Sequence, residues 1–293
     1  MEEGFYTYRK EKDYSEKTIR SQDCYIRKFN AWLMTNSISL QEVGYQTLLS
    51  FVSDERKKGI ASANLRNHLQ AIRIYLSYQK ETGTIDENPA IGIHLKDKYH
   101  RIPLPAIPEE TLGDMYKAFA QNQPEDPIRK LQHQRDTVAL GMVIFQGLDS
   151  GDLERLTVKD INLREGTLYI ASSRKNASRT LNLEALQILQ LSEYITQTRP
   201  QLNPNHTDNN RFFTKSKIQD MVSAIVKKLK HAYPIIQDPR HIRSSVIQNW
   251  LKINHIRQVQ YMAGHKRISS TERYRREDLD DLIHQLQKYH PVK

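Results

Sequence analysis

The sequence contains a single cysteine, Cys24, so it has no partner thiol for an internal disulfide and no cysteine framework for a zinc site. Its histidines form no H-x-x-x-H or comparable pair with acidic neighbours. No apolar run approaches the roughly 20 residues of a membrane span, and the polar start MEEGFYTYRK lacks the layout of a signal peptide. We therefore expect a cytoplasmic protein with no membrane span, no metal and no cofactor.

Acidic residues are also in short supply relative to basic ones. The chain carries 44 Lys and Arg against 34 Asp and Glu, a formal net charge of +10. Such an excess favours an anionic partner, either nucleic acid or an acidic membrane surface. With 293 residues the chain is long enough for two domains that each bury their own core.

The first third of the sequence predicts a bundle of about four helices, which we assign to an N-terminal domain of residues 1–98. Apolar residues recur there at helical spacing, and Asn88-Pro89 closes a last short helix. The three long helical stretches are residues 17–34, 40–57 and 64–81, each preceded by a serine at a helix-capping position.

Residues 99–108 are predicted to be a linker, because the prolines of this region fix φ and the segment shows no period. The remaining residues, 109–293, alternate helical patterns with two strand-like runs, 167–171 and 179–183, which are joined by a polar turn. Residues 279–288 form a last amphipathic pattern. The predicted fold is mainly α with a small antiparallel β-sheet.

The stretch QVQYMAGHKRISSTERY, residues 258–274, concentrates candidate functional groups. A helical pattern stops at Gly264, which most easily adopts the left-handed conformation past a helix end, and His265 follows at once. Ser269 and Glu272 have the spacing of a capping box, which predicts a new helix that carries Tyr274 about one turn in.

A second group of cations precedes this stretch. Asp238 and Pro239 predict a helix start, which places Arg240 and Arg243 three residues apart on one helix face. From Arg240 to Arg276 the sequence has nine Lys or Arg residues and one acidic residue. This balance suits a polyanion. The alternatives are a solvated charged face and, for Tyr274, a half-buried aromatic that packs between helices.

These residues resemble the C-terminal signature of the tyrosine recombinases, or phage integrases, of the Xer-like kind. That signature is H-x-x-R, a helix, L-G-H, and a tyrosine nine residues after the histidine. Here Arg243 is followed by A-G-H ending at His265 and by Tyr274 nine residues later. The N-terminal pattern resembles the family's helical, SAM-like core-binding domain, with matching residues at 15–18, 71–73 and 88–90.

The resemblance implies a site-specific DNA recombinase or integrase of a mobile element, which cuts and rejoins DNA through a 3′-phosphotyrosyl intermediate. Residues 109–293 would be its mixed α/β catalytic domain. In the implied roles Tyr274 is the nucleophile, Arg243, Arg240 and His265 stabilise the phosphate, and Lys175 protonates the leaving group, with Arg174 as the rival to Lys175. The family also implies dimers or tetramers on double-stranded DNA, held together by the C-terminal helix.

Two positions depart from the family pattern. Asp149 stands where the family has its first catalytic arginine, and we interpret it as a turn and helix-cap residue. Arg240 holds the position of the H-x-x-R histidine and is a candidate to replace the missing cation, with Arg155 as the next candidate. Asp149 favours the alternative of an impaired relative that acts as an architectural or regulatory DNA-binding protein. A helical transcription regulator is a third hypothesis.

Further cations are predicted to contact DNA without taking part in chemistry. In the N-terminal domain they would form one basic face, and in the C-terminal domain they would lie near the site. They are Lys57, Arg66, Arg73, Arg174 and Arg267.

Overall fold

The computed structural model describes residues 3–95, 104–203, 210–214 and 217–275. The chain divides into two compact units, Met1–Arg101 and Ile102–Lys293. Helices predominate in both, and the three short strands lie in the second unit. No helix in the described ranges is long and apolar enough to cross a membrane. The mainly α fold with a small antiparallel sheet is confirmed.

The described part of the first unit is a bundle of four α-helices. Ser15 caps the second of them through the Thr18 N–H, and a 3-10 turn, Leu40–Glu42, precedes the third. Phe29 and Phe51 meet edge to face in its core. The helices are α1 (Glu3–Glu11), α2 (Glu16–Thr35), α3 (Tyr45–Lys57) and α4 (Ser62–Glu81).

The bundle differs from the sequence prediction at both ends. α1 was not predicted, yet it packs Phe5 and Tyr8 against α2 and α4. The short helix predicted to end at Asn88-Pro89 is absent from the described chain, where turns follow α4. The Asn88 amide instead donates to the Arg73 carbonyl at 2.9 Å and so ties this segment back to α4. The fourth helix therefore comes from the start of the unit.

The second unit is built around one buried helix. Pro127 opens this helix, the Asp126 side chain accepts from the Arg129 N–H at 2.7 Å, and residues 135–144 are all buried. Such all-round burial explains why its sequence is nearly all apolar before Gly147. The first six α-helices described in the unit are α5 (Glu109–Gln121), α6 (Pro127–Phe145), α7 (Ser150–Arg155), α8 (Ala185–Glu193), α9 (Arg199–Leu202) and α10 (Ile218–Ala232). They are followed by α11 (Pro239–Ile253), α12 (Ile256–Ala263) and α13 (Ile268–Glu272).

A three-stranded antiparallel sheet lies between α7 and α8 in the chain. Its order is β1-β2-β3, with β1 at Ile161–Asn162, β2 at Thr167–Ile170 and β3 at Arg179–Asn182. The predicted hairpin is β2 and β3, and the two-residue strand β1 was not predicted. Leu168 pairs with Leu181 on the buried face, which holds the sheet against the core.

Residues 104–108, the second half of the predicted linker, pack on α11. Ile107 is buried, its N–H donates to the Ser245 hydroxyl at 3.0 Å, and its carbonyl accepts from the Asn249 amide at 2.8 Å. This part of the segment belongs to the second unit, because buried side chains of α11 take up its backbone polar groups.

Candidate active site

The turn after α6 brings Asp149 to the start of α7. The Asp149 carboxylate accepts a hydrogen bond from the Asp152 N–H at 2.8 Å, so Asp149 is the N-cap of the helix. The sequence interpretation of Asp149 as a helix-cap residue is confirmed.

Asp152 is the electrostatic centre of the site. Its side chain has no exposed surface and accepts from the guanidinium groups of Arg155 and Arg179, each at 2.8 Å. The Arg243 guanidinium lies 3.6 Å away. Burial alone would raise the pKa of Asp152, but the charges of Arg179 and Arg243 outweigh burial and lower it. The carboxylate therefore stays ionised and attracts the arginine side chains of α7, β3 and α11.

Arg243 is fixed by backbone carbonyls as well as by charge. Asp238 caps α11 through the His241 N–H at 2.8 Å, as predicted. One turn later Arg243 donates to the carbonyl of Gly147 and, at 2.9 Å, to that of Ala263. Two chain turns thus hold one guanidinium in a single orientation, which is the preorganisation that phosphate recognition requires.

His265 follows the left-handed Gly264, whose φ of 72° confirms the predicted helix end. The imidazole Nδ1 lies 2.9 Å from the Thr271 hydroxyl, and the ring stacks on that of Tyr274 with 5.7 Å between centroids and 12° between planes. Burial, with the charge of Arg243 next, lowers the pKa of His265 to about 4. The imidazole is therefore neutral at neutral pH.

Tyr274 lies just past a short helix instead of inside one. α13 spans Ile268–Glu272 and begins after Arg267, so the predicted Ser269–Glu272 capping box is wrong. The reason is that the chain enters the helix directly from the His265 turn, two residues earlier than the box requires. The half-buried Tyr274 ring packs against the cluster of α11 and α12, and its hydroxyl makes no hydrogen bond to any residue in the described ranges.

The turn between β2 and β3 docks on the His265 turn. Asn176 forms an isolated β-bridge with His265, and the Ala177 N–H donates to the Gly264 carbonyl at 2.8 Å. The Asn176 amide also donates to Asp149 at 3.4 Å and to Asp152 at 3.3 Å. This turn carries Lys175 and Arg174, both exposed, so it sets two cations at the edge of the site.

The structure therefore brings Arg243, His265 and Tyr274 together beside the β2–β3 turn. Arg240 is exposed in the first turn of α11, one turn before Arg243. Arg267 is exposed at the start of α13. In the described part of the chain no cluster of His, Cys, Asp or Glu has the composition of a metal site. The chemistry that these groups can support is attack by a hydroxyl on an anion held by guanidinium groups.

Comparison with known proteins agrees with this geometry. Residues 111–280, more than half of the chain, match the profile described as the phage integrase family. The chain belongs to the phage integrase family. It is a tyrosine recombinase, and its function is site-specific DNA recombination.

Similar proteins extend over almost the whole recombinase. Tyrosine recombinase XerC of Bacillus subtilis is 22% identical over 96% of this chain and 92% of its own length. Tyrosine recombinase XerD of Pseudomonas aeruginosa is 24% identical over 90% and 88%.

Solved structures share the fold of this recombinase at low identity. The XerH site-specific recombinase, in a post-cleavage complex with a palindromic difH substrate, has a TM-score of 0.72 and 18% identity over 92% of this chain and 79% of that one. A lambda integrase dimer bound to a COC′ core site has a TM-score of 0.60 and 14% identity over 90% of each chain.

The N-terminal cations of the recombinase differ in their surroundings. Lys57 is exposed and pairs with Asp54 at 3.1 Å, and Arg66 is half-buried on α4. Arg73 is half-buried, and its guanidinium donates to the carbonyls of Ala90 at 3.1 Å and Ile93 at 2.9 Å. Arg73 thus fastens the segment after α4 to the rest of its own unit.

Sequence reasoning missed four residues that shape the site of this recombinase, namely Asp152, Arg179, Asn176 and Thr271. One of them leaves a signal in the sequence. Arg179 precedes Leu181 by two positions on β3, so both side chains face inward, and an arginine on the inner face of a strand requires a buried anion. The bonds that Asp152, Asn176 and Thr271 make to other elements leave no such pattern.

Proposed function

We propose that this recombinase cuts and rejoins DNA through a 3′-phosphotyrosyl intermediate with Tyr274 as the nucleophile. The observation that carries this proposal is the stack of the neutral His265 ring on Tyr274, beside the fixed guanidinium of Arg243. A tyrosine used only for packing would not need a hydrogen-bonded histidine and a preorganised cation next to its ring.

The proposed step exchanges the phosphodiester bond for a phosphotyrosine bond, which keeps the bond energy for the later rejoining. The Tyr274 oxygen forms a bond to the scissile phosphorus, the bond from phosphorus to the 5′ oxygen breaks, and the tyrosine proton passes to a base. The leaving 5′ oxygen takes a proton from Lys175, with Arg174 as the rival donor on the same turn. Later a 5′ hydroxyl of DNA attacks the phosphotyrosine, which restores a phosphodiester and the free tyrosine.

Charge stabilisation in this step falls to Arg243, His265 and Arg240. Phosphoryl transfer spreads negative charge over the non-bridging oxygens, and positioned donors lower the barrier by meeting that charge. The neutral His265 has its Nδ1 engaged by Thr271, which leaves Nε2 for the phosphate or for the tyrosine proton. Arg240 is exposed at the N-terminal end of α11, where an anion is favoured by the helix dipole as well.

Asp149 is the observation that favours the second candidate, a relative that binds DNA without cutting it. A carboxylate near the phosphate opposes the binding of an anion and removes a charge-assisted donor. The two candidates separate on one measurement, because only the cutting enzyme forms a covalent protein–DNA adduct.

The test is adduct formation on a nicked suicide substrate, read as a denaturant-resistant band. Tyr274→Phe should abolish the adduct and leave DNA affinity nearly unchanged, because the change removes a hydroxyl and no charge. Tyr169→Phe, at an exposed tyrosine of β2, is the matched control and should form the adduct like the parent. Adduct formation by Tyr274→Phe would exclude Tyr274 as the nucleophile, and no adduct from the parent would support the DNA-binding candidate.

We also propose that the protein assembles as dimers or tetramers on double-stranded DNA through its C-terminal helix. The predicted helix, residues 279–288, lies outside the described residues. Support comes from the apolar stripe of its sequence and from the lambda integrase structure, which is a dimer on its DNA site. The remaining DNA contacts are assigned to Lys57, Arg66, Arg73 and Arg267.

A further inference from the structure

Three guanidinium groups and two carboxylates meet at the start of α7. Arg155, Arg179 and Arg243 surround Asp152, and Asp149 lies at the cap of the same helix. One positive charge is therefore left over in this cluster. Because an unbalanced charge in a partly buried place is costly without a partner, the cluster favours the arrival of an anion.

The three arginines differ in their access to such an anion. The Arg179 side chain has no exposed surface and that of Arg243 is 11% exposed, whereas that of Arg155 is 37% exposed. The bond from Arg155 Nη2 to Asp152 leaves its other N–H groups without a hydrogen bond to any described residue. A guanidinium offers five donors, so Arg155 keeps several for a ligand.

The Arg155 side chain folds back along α7 toward the cap. A methyl group added at Gly151 would lie 3.2 Å from the Asp149 carboxylate oxygen Oδ1 and 3.5 Å from Arg155 Nη1. The guanidinium of Arg155 and the carboxylate of Asp149 therefore flank the same glycine, although the two residues are at opposite ends of the helix. Helical side chains point toward the N-terminus, and the bond to Asp152 fixes this direction.

We propose that Arg155 is a further catalytic residue, whose guanidinium contacts the scissile phosphate together with that of Arg243. This rests on the proposed phosphotyrosyl chemistry. One carboxylate, Asp152, sets the distance between the two guanidinium groups, and a phosphodiester presents two non-bridging oxygens that need two such donors. Asp149 caps α7, and the Arg155 side chain folds back along this helix to lie near Asp149. Arg155 therefore supplies the cation that is absent at position 149.

The competing explanation is that Arg155 only neutralises Asp152. The two explanations differ when the negative charge of the phosphate itself is removed. A methylphosphonate at the scissile position replaces a charged oxygen by a methyl group, so a cation that acts on that charge becomes less important. A cation that only keeps Asp152 in place remains equally important on both substrates.

The experiment measures the rate of adduct formation on suicide DNA with a phosphodiester or a methylphosphonate at the cleavage site. Arg155→Ala should be slower than the parent by about 10²-fold on the phosphodiester, the scale of losing one preorganised donor. On the methylphosphonate its defect should shrink by about tenfold or more. The double change Asp149→Arg with Arg155→Ala should recover much of the lost rate on the phosphodiester, because an arginine at position 149 returns the cation.

Arg164→Ala, at an exposed arginine between β1 and β2, is the matched control and should react like the parent on both substrates. Arg240→Ala in the same assay asks whether Arg240 supplies the cation instead. A parent-like rate for Arg155→Ala, or an equal defect on both substrates, would overturn the proposal. The proposal would also be overturned if the methylphosphonate reduced the defect of Arg240→Ala and not that of Arg155→Ala. The parent's own adduct reports separately on the phosphotyrosyl chemistry. Should Arg155→Ala fail to fold, Arg155→Gln keeps a donor for Asp152 and carries the same comparison.

Discussion

Gly264 is the residue where a single methyl group should damage both fold and site. Its φ of 72° is left-handed, and a Cβ at this position would lie 2.8 Å from Arg179 Cζ. Arg179 cannot move aside easily, because it is fully buried and bonded to Asp152. The Gly264→Ala change therefore combines backbone strain with a clash against a fixed ion pair.

The expected cost has two parts. A non-glycine residue in the left-handed region costs roughly 1–2 kcal/mol, and a methyl forced into a packed interior costs typically about 1–3 kcal/mol more. Gly264→Ala should thus lower the free energy of unfolding by about 2–5 kcal/mol. Gly166→Ala is the matched control, because Gly166 has a φ of 62° with open space around it and should lose only the backbone part.

Urea unfolding followed by tryptophan fluorescence measures this difference. The chain has two tryptophans, so a Trp32→Phe background leaves Trp250, which packs on the core of the second unit, as the reporter. Gly264→Ala should also slow adduct formation, because His265 follows the strained residue directly. Equal losses of stability in Gly264→Ala and Gly166→Ala would refute the argument that Arg179 fills the space beside Gly264.

The remaining predictions concern pH and assembly. The pKa of His265 is lowered to about 4, so between pH 6.5 and 4 the unfolded chain binds this proton and the folded protein does not. The contribution of His265 to stability is therefore complete above about pH 6.5 and is lost as the pH falls toward 4. The urea midpoint of the parent minus that of His265→Gln should shrink through this range, and a constant difference would contradict a neutral buried imidazole. In the predicted C-terminal helix, Leu282→Asp with Leu286→Asp should abolish multimers on DNA in a mobility-shift assay while the monomer still folds. Loss of folding would show that the helix packs within its own chain instead.

The sequence by itself determined the features that depend on neighbours within one helical turn. Ser15 and Asp238 are helix caps because their side chains reach an N–H three residues on, and Gly264 ends a helix because its own φ is positive. The spacing of Arg243, His265 and Tyr274 identified the family, since that pattern is linear along the chain. The failed Ser269 capping box shows the limit of such reasoning, because the preceding turn decided where α13 begins.

Only the tertiary structure decided which charges meet. Asp152 pairs with Arg179 of β3 and lies near Arg243 of α11, which follow it by 27 and 91 positions in the sequence. No period or motif in the sequence predicts such a pairing. The same holds for the Asn176–His265 bridge, which joins a hairpin turn to a helix end. Composition placed Arg73 on a basic face, and only the structure shows that its guanidinium also bonds the carbonyls of Ala90 and Ile93. Buried polar groups must find partners wherever the fold brings them, and that requirement acts through space, not along the sequence.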